Sequence, residues 1–80
     1  MNSSSIKYNA ENYSIEKLKQ AENALLNEET LSIEIEGKDE GEKLTHVLAA
    51  IFCKQEMLKS EISINQAIRL FFKRVRNSIN

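Results

Sequence analysis

The chain has 80 residues, of which 41% are apolar and 29% charged, and its formal net charge is −1. This length allows one domain, whose core removes only about 60% of the unfolded surface from water. Cys53 is the one cysteine and His46 the one histidine, which excludes a disulfide within the chain and disfavours a closed zinc site. A fold this small therefore favours support from a partner chain.

The charges are unevenly distributed along the chain. Residues 1–53 carry five Lys against ten Asp or Glu, a net −5, and residues 54–80 carry six Lys or Arg against two Glu, a net +4. Acidic residues are densest in 28–42, and basic residues are densest in 69–76. This polarity predicts a basic C-terminal surface that could meet an acidic partner.

Neither a secretory signal nor a membrane span is predicted. The longest apolar run, Val47 to Cys53, has seven residues, far fewer than the roughly 20 needed to cross a bilayer. The first residues lack the basic start and the apolar run of a secretory signal. Together with one unpaired cysteine, these features predict a cytoplasmic protein with no membrane partner.

The N-terminal part of the chain is polar and rich in Asn and Ser, which predicts a flexible lead-in over residues 1–13. A single helical domain is expected to occupy residues 14–80. Its first helix is predicted at 15–27, because the apolar residues there recur at helical spacing. Ser14 is the predicted N-cap of this helix.

The next segment changes from helical to alternating periodicity. Leu31, Ile33 and Ile35 alternate with polar residues, which predicts a short, half-buried strand at 31–36. A lone strand leaves its backbone groups unpaired, so it needs a mate. The mate could be residues 5–8, where apolar and polar residues also alternate, or the same strand of a second copy.

Two longer helices are predicted to follow, at 40–59 and 64–78, as an antiparallel pair. The first begins with acidic residues, which suit the positive end of the helix dipole. Ser63 and Gln66 form a capping box for the second. The predicted fold class is therefore mainly α: a helix, one short strand, and then this pair of helices in a single small domain.

The helix at 40–59 is apolar on two faces, which predicts a central position. One face carries the larger residues Leu44, Val47, Leu48, Ile51 and Leu58. The other, the small-residue face, consists of Ala49, Ala50, Cys53 and Met57. Small residues let another helix approach closely, and Met adapts to irregular partners. Either the first helix of the chain covers this face, or a second copy does so in a homodimer, and we predict self-association through it.

The helix at 64–78 carries basic residues on the side opposite its apolar stripe, beside two large apolar residues. Arginine and aromatic residues concentrate in protein interfaces. The predicted partner-binding residues are Arg69, Leu70, Phe72, Lys73 and Arg76. Their alternative roles are those of a solvated helix face, or of a face that complements the acidic 28–42 segment of the same or a neighbouring chain.

No catalytic, cofactor or metal site is predicted. His46 and Cys53 are seven residues apart, about 10 Å along a helix axis, too far for a nucleophile and its base. Glu42 and His46 could share a metal ion, but no third ligand has matching spacing. The sequence therefore predicts a protein that is not an enzyme.

The predicted function is a small protein–protein interaction or adaptor module that self-associates and binds an acidic protein. The alternative is a small DNA-binding transcriptional regulator or antitoxin-like protein. The order strand, helix, helix resembles that of ribbon-helix-helix repressors, whose paired strands enter the major groove. In such a ribbon Glu34 and Glu36 would repel phosphate, which makes nucleic acid the less favoured partner.

Overall fold

Four α-helices make up most of the fold. The computed structural model describes residues 2–79, with side chains described for 2–77. The helices are α1 (Ser3–Asn12), α2 (Ile15–Leu26), α3 (Glu40–Ser60) and α4 (Ile64–Ile79). The chain is therefore a small, mainly helical single domain, as predicted. The last three helices begin and end within one residue of their predicted bounds.

Helix α1 replaces the flexible lead-in that the sequence predicts for residues 1–13, so that prediction is wrong for residues 3–12. The Asn2 side chain caps the helix by accepting a hydrogen bond from the Ser4 backbone N–H at 2.9 Å. Ile6 and Ala10 lie on one face of α1 and are 0% and 5% exposed. Burial of this short apolar face against α3 and α4 stabilises a helix whose own propensity is weak.

The predicted strand at 31–36 is also wrong, because residues 2–79 contain no strand. The alternating side chains do point inward as predicted: Ile35 is 4% exposed, and Leu31 and Ile33 are half-buried against the core. Residues 5–8 lie within α1 and therefore cannot pair with this segment as a strand.

Side chains take the place of a neighbouring strand for two carbonyl groups of this segment. The Tyr13 hydroxyl donates to the Glu34 carbonyl at 3.0 Å, and His46 Nδ1 lies 2.8 Å from the Glu36 carbonyl. Two backbone acceptors of this segment are thus satisfied without a β-ladder. The segment between α2 and α3 is consequently extended but not a strand.

Helix α3 is central and packs against each of the other three helices. One apolar cluster, formed mainly by α2, α3 and Ile35, contains Ala10, Leu18, Ala21, Leu25, Ile35, Val47, Ala50 and Ile51. A second cluster, between α1, α3 and α4, contains Ile6, Ala49, Cys53, Ala67 and Ile68. The two clusters lie on adjacent sides of α3, which fits its predicted central position.

A three-residue link connects α3 to α4. The predicted capping box is present: the Gln66 side chain accepts from the Ser63 N–H at 2.9 Å, and the Ser63 hydroxyl accepts from the Gln66 N–H at 3.2 Å. The rings of Phe52 and Phe71 are 5.7 Å apart, so α4 runs back along α3. This return places the basic residues of α4 on the outside of the molecule.

Candidate functional site

The small-residue face of α3 lies inside the protein. Ala49, Ala50 and Cys53 are all 0% exposed, and Met57 is half-buried. Ile6 of α1 and residues of α4 pack on Ala49 and Cys53, while α2 packs on Ala50. The prediction of self-association through this face is therefore wrong, because the chain itself covers it.

Two of the larger apolar residues of α3 show the opposite behaviour. Leu48 and Leu58 are 42% and 77% exposed, although their size and spacing assign them to a core stripe. Three helices pack around α3, and the small side chains permit their close approach. Of the larger residues, Val47 and Ile51 are buried in the core, and Leu48 and Leu58 face solvent.

His46 has a structural role between α3, the start of α1 and the segment before α3. It is 1% exposed. The Asn2 backbone N–H donates to Nε2 at 3.1 Å, and Nδ1–H donates to the Glu36 carbonyl at 2.8 Å. These partners assign the neutral imidazole with its proton on Nδ1. Within residues 2–79, no three His, Cys, Asp or Glu side chains form a metal-binding group.

The predicted partner-binding residues of α4 lie at the surface. Arg69, Lys73 and Arg76 are exposed, and Leu70 and Phe72 are half-buried. The neighbouring Arg74 points elsewhere: it lies 3.7 Å from the Glu56 carboxylate and 5.2 Å above the Phe52 ring. That ion pair is the only one within the described part of the chain.

The acidic segment 28–42 therefore does not pair with the basic face of α4 within the described part of the same chain. Instead, α4 faces α1 across a cleft. The cleft has a volume of about 260 Å³ and is lined by Ser3, Ser4, Lys7, Asn65, Ile68 and Arg69. It brings two cations together, and no described acidic residue lines it.

Lys7 is not among the residues predicted to bind a partner, because residues 1–13 are predicted to be a flexible lead-in. The signal that could have revealed it is Asn2 as an N-cap, with Ile6 and Ala10 four residues apart on the same helical face. None of the four described helices is long and apolar enough to cross a membrane.

One family model matches residues 1–80, that of the family of unknown function DUF6952. The chain belongs to DUF6952. No curated protein and no solved structure matches the chain. The family's function is unknown, so membership of DUF6952 assigns no activity to this chain.

The cysteine of this DUF6952 member is inert as a nucleophile at neutral pH. Burial raises the pKa of the Cys53 thiol from its ordinary 9.0 to about 11. At neutral pH the thiol is therefore protonated in both the folded and the unfolded chain. Between pH 9 and about 11 only the unfolded chain ionises, so the free energy of unfolding falls as the pH rises.

We expect this thiol to contribute a loss on the order of 3 kcal/mol across that window. Urea unfolding at a series of pH values should show the loss in the wild type. Cys53→Ala should show a shallower dependence, because the remaining titrating groups are common to both proteins. Equal pH dependences would contradict a protonated, buried thiol.

Proposed function

We propose that this protein is a small non-catalytic interaction or adaptor module that binds an acidic protein partner. Its binding site is the basic surface, which we define as Lys7, Leu70, Phe72 and the α4 cations Arg69, Lys73 and Arg76. The observation that carries the proposal is that these three cations are exposed and that no acidic side chain pairs with them within the described residues.

The cleft between α1 and α4 extends this positive charge. Lys7 and Arg69 line it from opposite sides. The first backbone N–H groups of α1 also lie at this end of the helix, where the helix dipole is positive. Carboxylates of a partner would find both formal and partial positive charge here.

The apolar residues of the basic surface favour a partner that is also amphipathic. Phe72 is half-buried and lies 5.8 Å from the Phe71 ring in an edge-to-face arrangement. Leu70 is half-buried on the outer side of α4. An acidic helix with apolar residues at helical spacing would match this combination. The cations would speed and orient its approach, and the apolar contacts would supply most of the affinity.

Self-association remains part of the proposal, but through a different surface. The segment 28–42 holds seven acidic residues, and it could contact the basic surface of a second copy. Two such contacts related by a twofold axis would close a dimer. Light scattering should then give a mass near twice 9.2 kDa that falls to the monomer value as salt is added. A lone free cysteine is consistent with a cytoplasmic setting for this module.

DNA binding is the second candidate function, since phosphates would also fit the cationic cleft. The ribbon-helix-helix arrangement, which suggested this function, requires a strand at 31–36, and residues 31–36 do not form one. The molecule's net charge of −1 also disfavours a polyanion. We therefore propose a protein partner in preference to nucleic acid.

Affinity capture with two matched charge reversals tests the proposal. Arg69→Glu with Lys73→Glu reverses two exposed cations of α4, and Lys17→Glu with Lys19→Glu reverses two exposed cations of α2. We expect the α4 variant to capture at least tenfold less protein than the wild type. The α2 variant should capture as much as the wild type.

Capture should be repeated after nuclease treatment, with folding of both variants verified by circular dichroism. Loss of all captured material after nuclease would favour the DNA-binding function. Equal capture by the α4 variant and the wild type would contradict binding at the basic surface.

A further inference from the structure

A polar cavity on the other side of α1 has a different chemistry. It lies between α1 and the segment that precedes α3, and its volume is about 220 Å³. Its lining residues are Ser5, Tyr8, Asn9, Tyr13, Glu34 and Glu36. None of them belongs to the basic surface, so the cavity is a separate candidate site.

The cavity is electrostatically negative. Glu34 and Glu36 both line it, and no described Lys, Arg or His does. Glu36 accepts one hydrogen bond, from the Ser5 hydroxyl at 2.9 Å. Neither carboxylate forms an ion pair within residues 2–77. Two unneutralised carboxylates at one small cavity favour a cationic ligand.

The Asn9 side chain supplies an independent indication of a ligand. Asn9 is 2% exposed, and its Nδ2 is buried with no hydrogen-bond partner in the described part of the protein. A buried donor without an acceptor is costly, and such groups are rare in folded proteins. An oxygen atom of a bound ligand would satisfy it. The ligand should therefore carry an acceptor oxygen close to its positive charge.

Two tyrosines complete the wall of the cavity. Tyr8 and Tyr13 form an edge-to-face pair with ring centres 6.2 Å apart. Partial burial raises the pKa of Tyr13, and the nearby Tyr8 and the Glu34 carboxylate raise it further. The phenol thus stays neutral and donates to the Glu34 carbonyl. Aromatic rings beside carboxylates are suited to organic ammonium groups, which the ring faces attract.

We propose that this cavity binds an α-ammonium group next to a neutral carbonyl, the unit found in an amino-acid amide and at the N-terminus of a peptide. The ammonium group would lie between Glu34 and Glu36, and the carbonyl oxygen would accept from Asn9. A free amino acid fits less well, because its own carboxylate would be repelled by the two glutamates. The site is independent of the proposed function at the basic surface.

NMR titration of the full chain with glycinamide tests this proposal at constant ionic strength. We expect saturable shifts of the Asn9 side-chain amide signals at millimolar concentrations. N-acetylglycinamide lacks the positive charge and glycine adds a carboxylate, so both should cause much smaller shifts. Glycylglycinamide and its N-acetylated form provide the peptide comparison: tighter binding of the free peptide than of glycinamide would identify a peptide N-terminus as the source.

Glu34→Gln removes one charge from the cavity and should weaken glycinamide binding at least tenfold. Glu11→Gln removes an exposed charge from α1 outside the cavity and should leave binding unchanged. Thermal unfolding verifies that both variants are folded. The proposal is overturned if neither glycinamide nor glycylglycinamide gives saturable shifts, or if N-acetylglycinamide or calcium ions shift Asn9 equally.

Discussion

Replacing Ala50 with glutamate is expected to unfold the protein, whereas the same change at Leu48 is expected to leave it folded. Ala50 is 0% exposed and packs in the cluster that contains Leu18 and Ala21, while Leu48 is 42% exposed. A buried, unpaired carboxylate costs several kcal/mol. A chain of this length has a total stability of about 4–12 kcal/mol.

Circular dichroism and urea unfolding measure this difference. Ala50→Glu should lose most of its helical signal at 25 °C, and Leu48→Glu should change the free energy of unfolding by about 1 kcal/mol or less. The comparison is matched, since both changes introduce the same charge two residues apart on one helix. A folded Ala50→Glu variant that merely changed its oligomeric state would contradict the packing of α3 and restore self-association through the small-residue face.

Replacing Ile6 with alanine is expected to lower the free energy of unfolding by about 2–5 kcal/mol. Ile6 is 0% exposed and packs in the cluster between α1, α3 and α4. If residues 1–13 were a flexible lead-in, as the sequence predicts, this change would have almost no effect.

Glu11→Ala provides the control for this prediction, because Glu11 is exposed on the same helix. It should change the free energy of unfolding by no more than about 0.5 kcal/mol. Urea denaturation followed by circular dichroism measures both variants. Equal stabilities for Ile6→Ala and Glu11→Ala would show that α1 does not pack on α3.

The last three helices could be predicted from the sequence because their local signals agree with their packing. Ser14, Asp39 and Ser63 accept hydrogen bonds from backbone N–H groups at the starts of α2, α3 and α4. Their apolar residues recur at helical spacing over 12 to 21 residues. Local capping and long periodicity are independent of the arrangement of neighbouring helices.

Helix α1 and the segment before α3 could not be predicted in the same way. The buried face of α1 includes Ser5 and Asn9 beside Ile6 and Ala10, so half of it is polar. The alternation at 31–36 correctly indicated which side chains face inward. Its prediction of a strand is wrong, because strand formation requires a pairing partner and residues 5–8 lie within α1.

The candidate sites were predicted in part. The exposed cations of α4 were found from charge and spacing alone. Burial of the small-residue face was not, since hydrophobicity ranks Leu48 above Ala50 and close packing of three helices reverses that order. Lys7 and the cavity beside Asn9 depend on α1 being a helix, and so they appear only in the folded chain.

We propose above all that an acidic protein partner binds at the basic surface. Site-specific photocrosslinking in a lysate of the native cell tests it most directly, with the crosslinker placed at Lys73 of α4 or, as a control, at Lys17 of α2. Both positions are exposed. We predict a protein crosslink from Lys73 that is lost in high salt, and none from Lys17. A partner that crosslinks to Lys17 but not to Lys73 would contradict the claim.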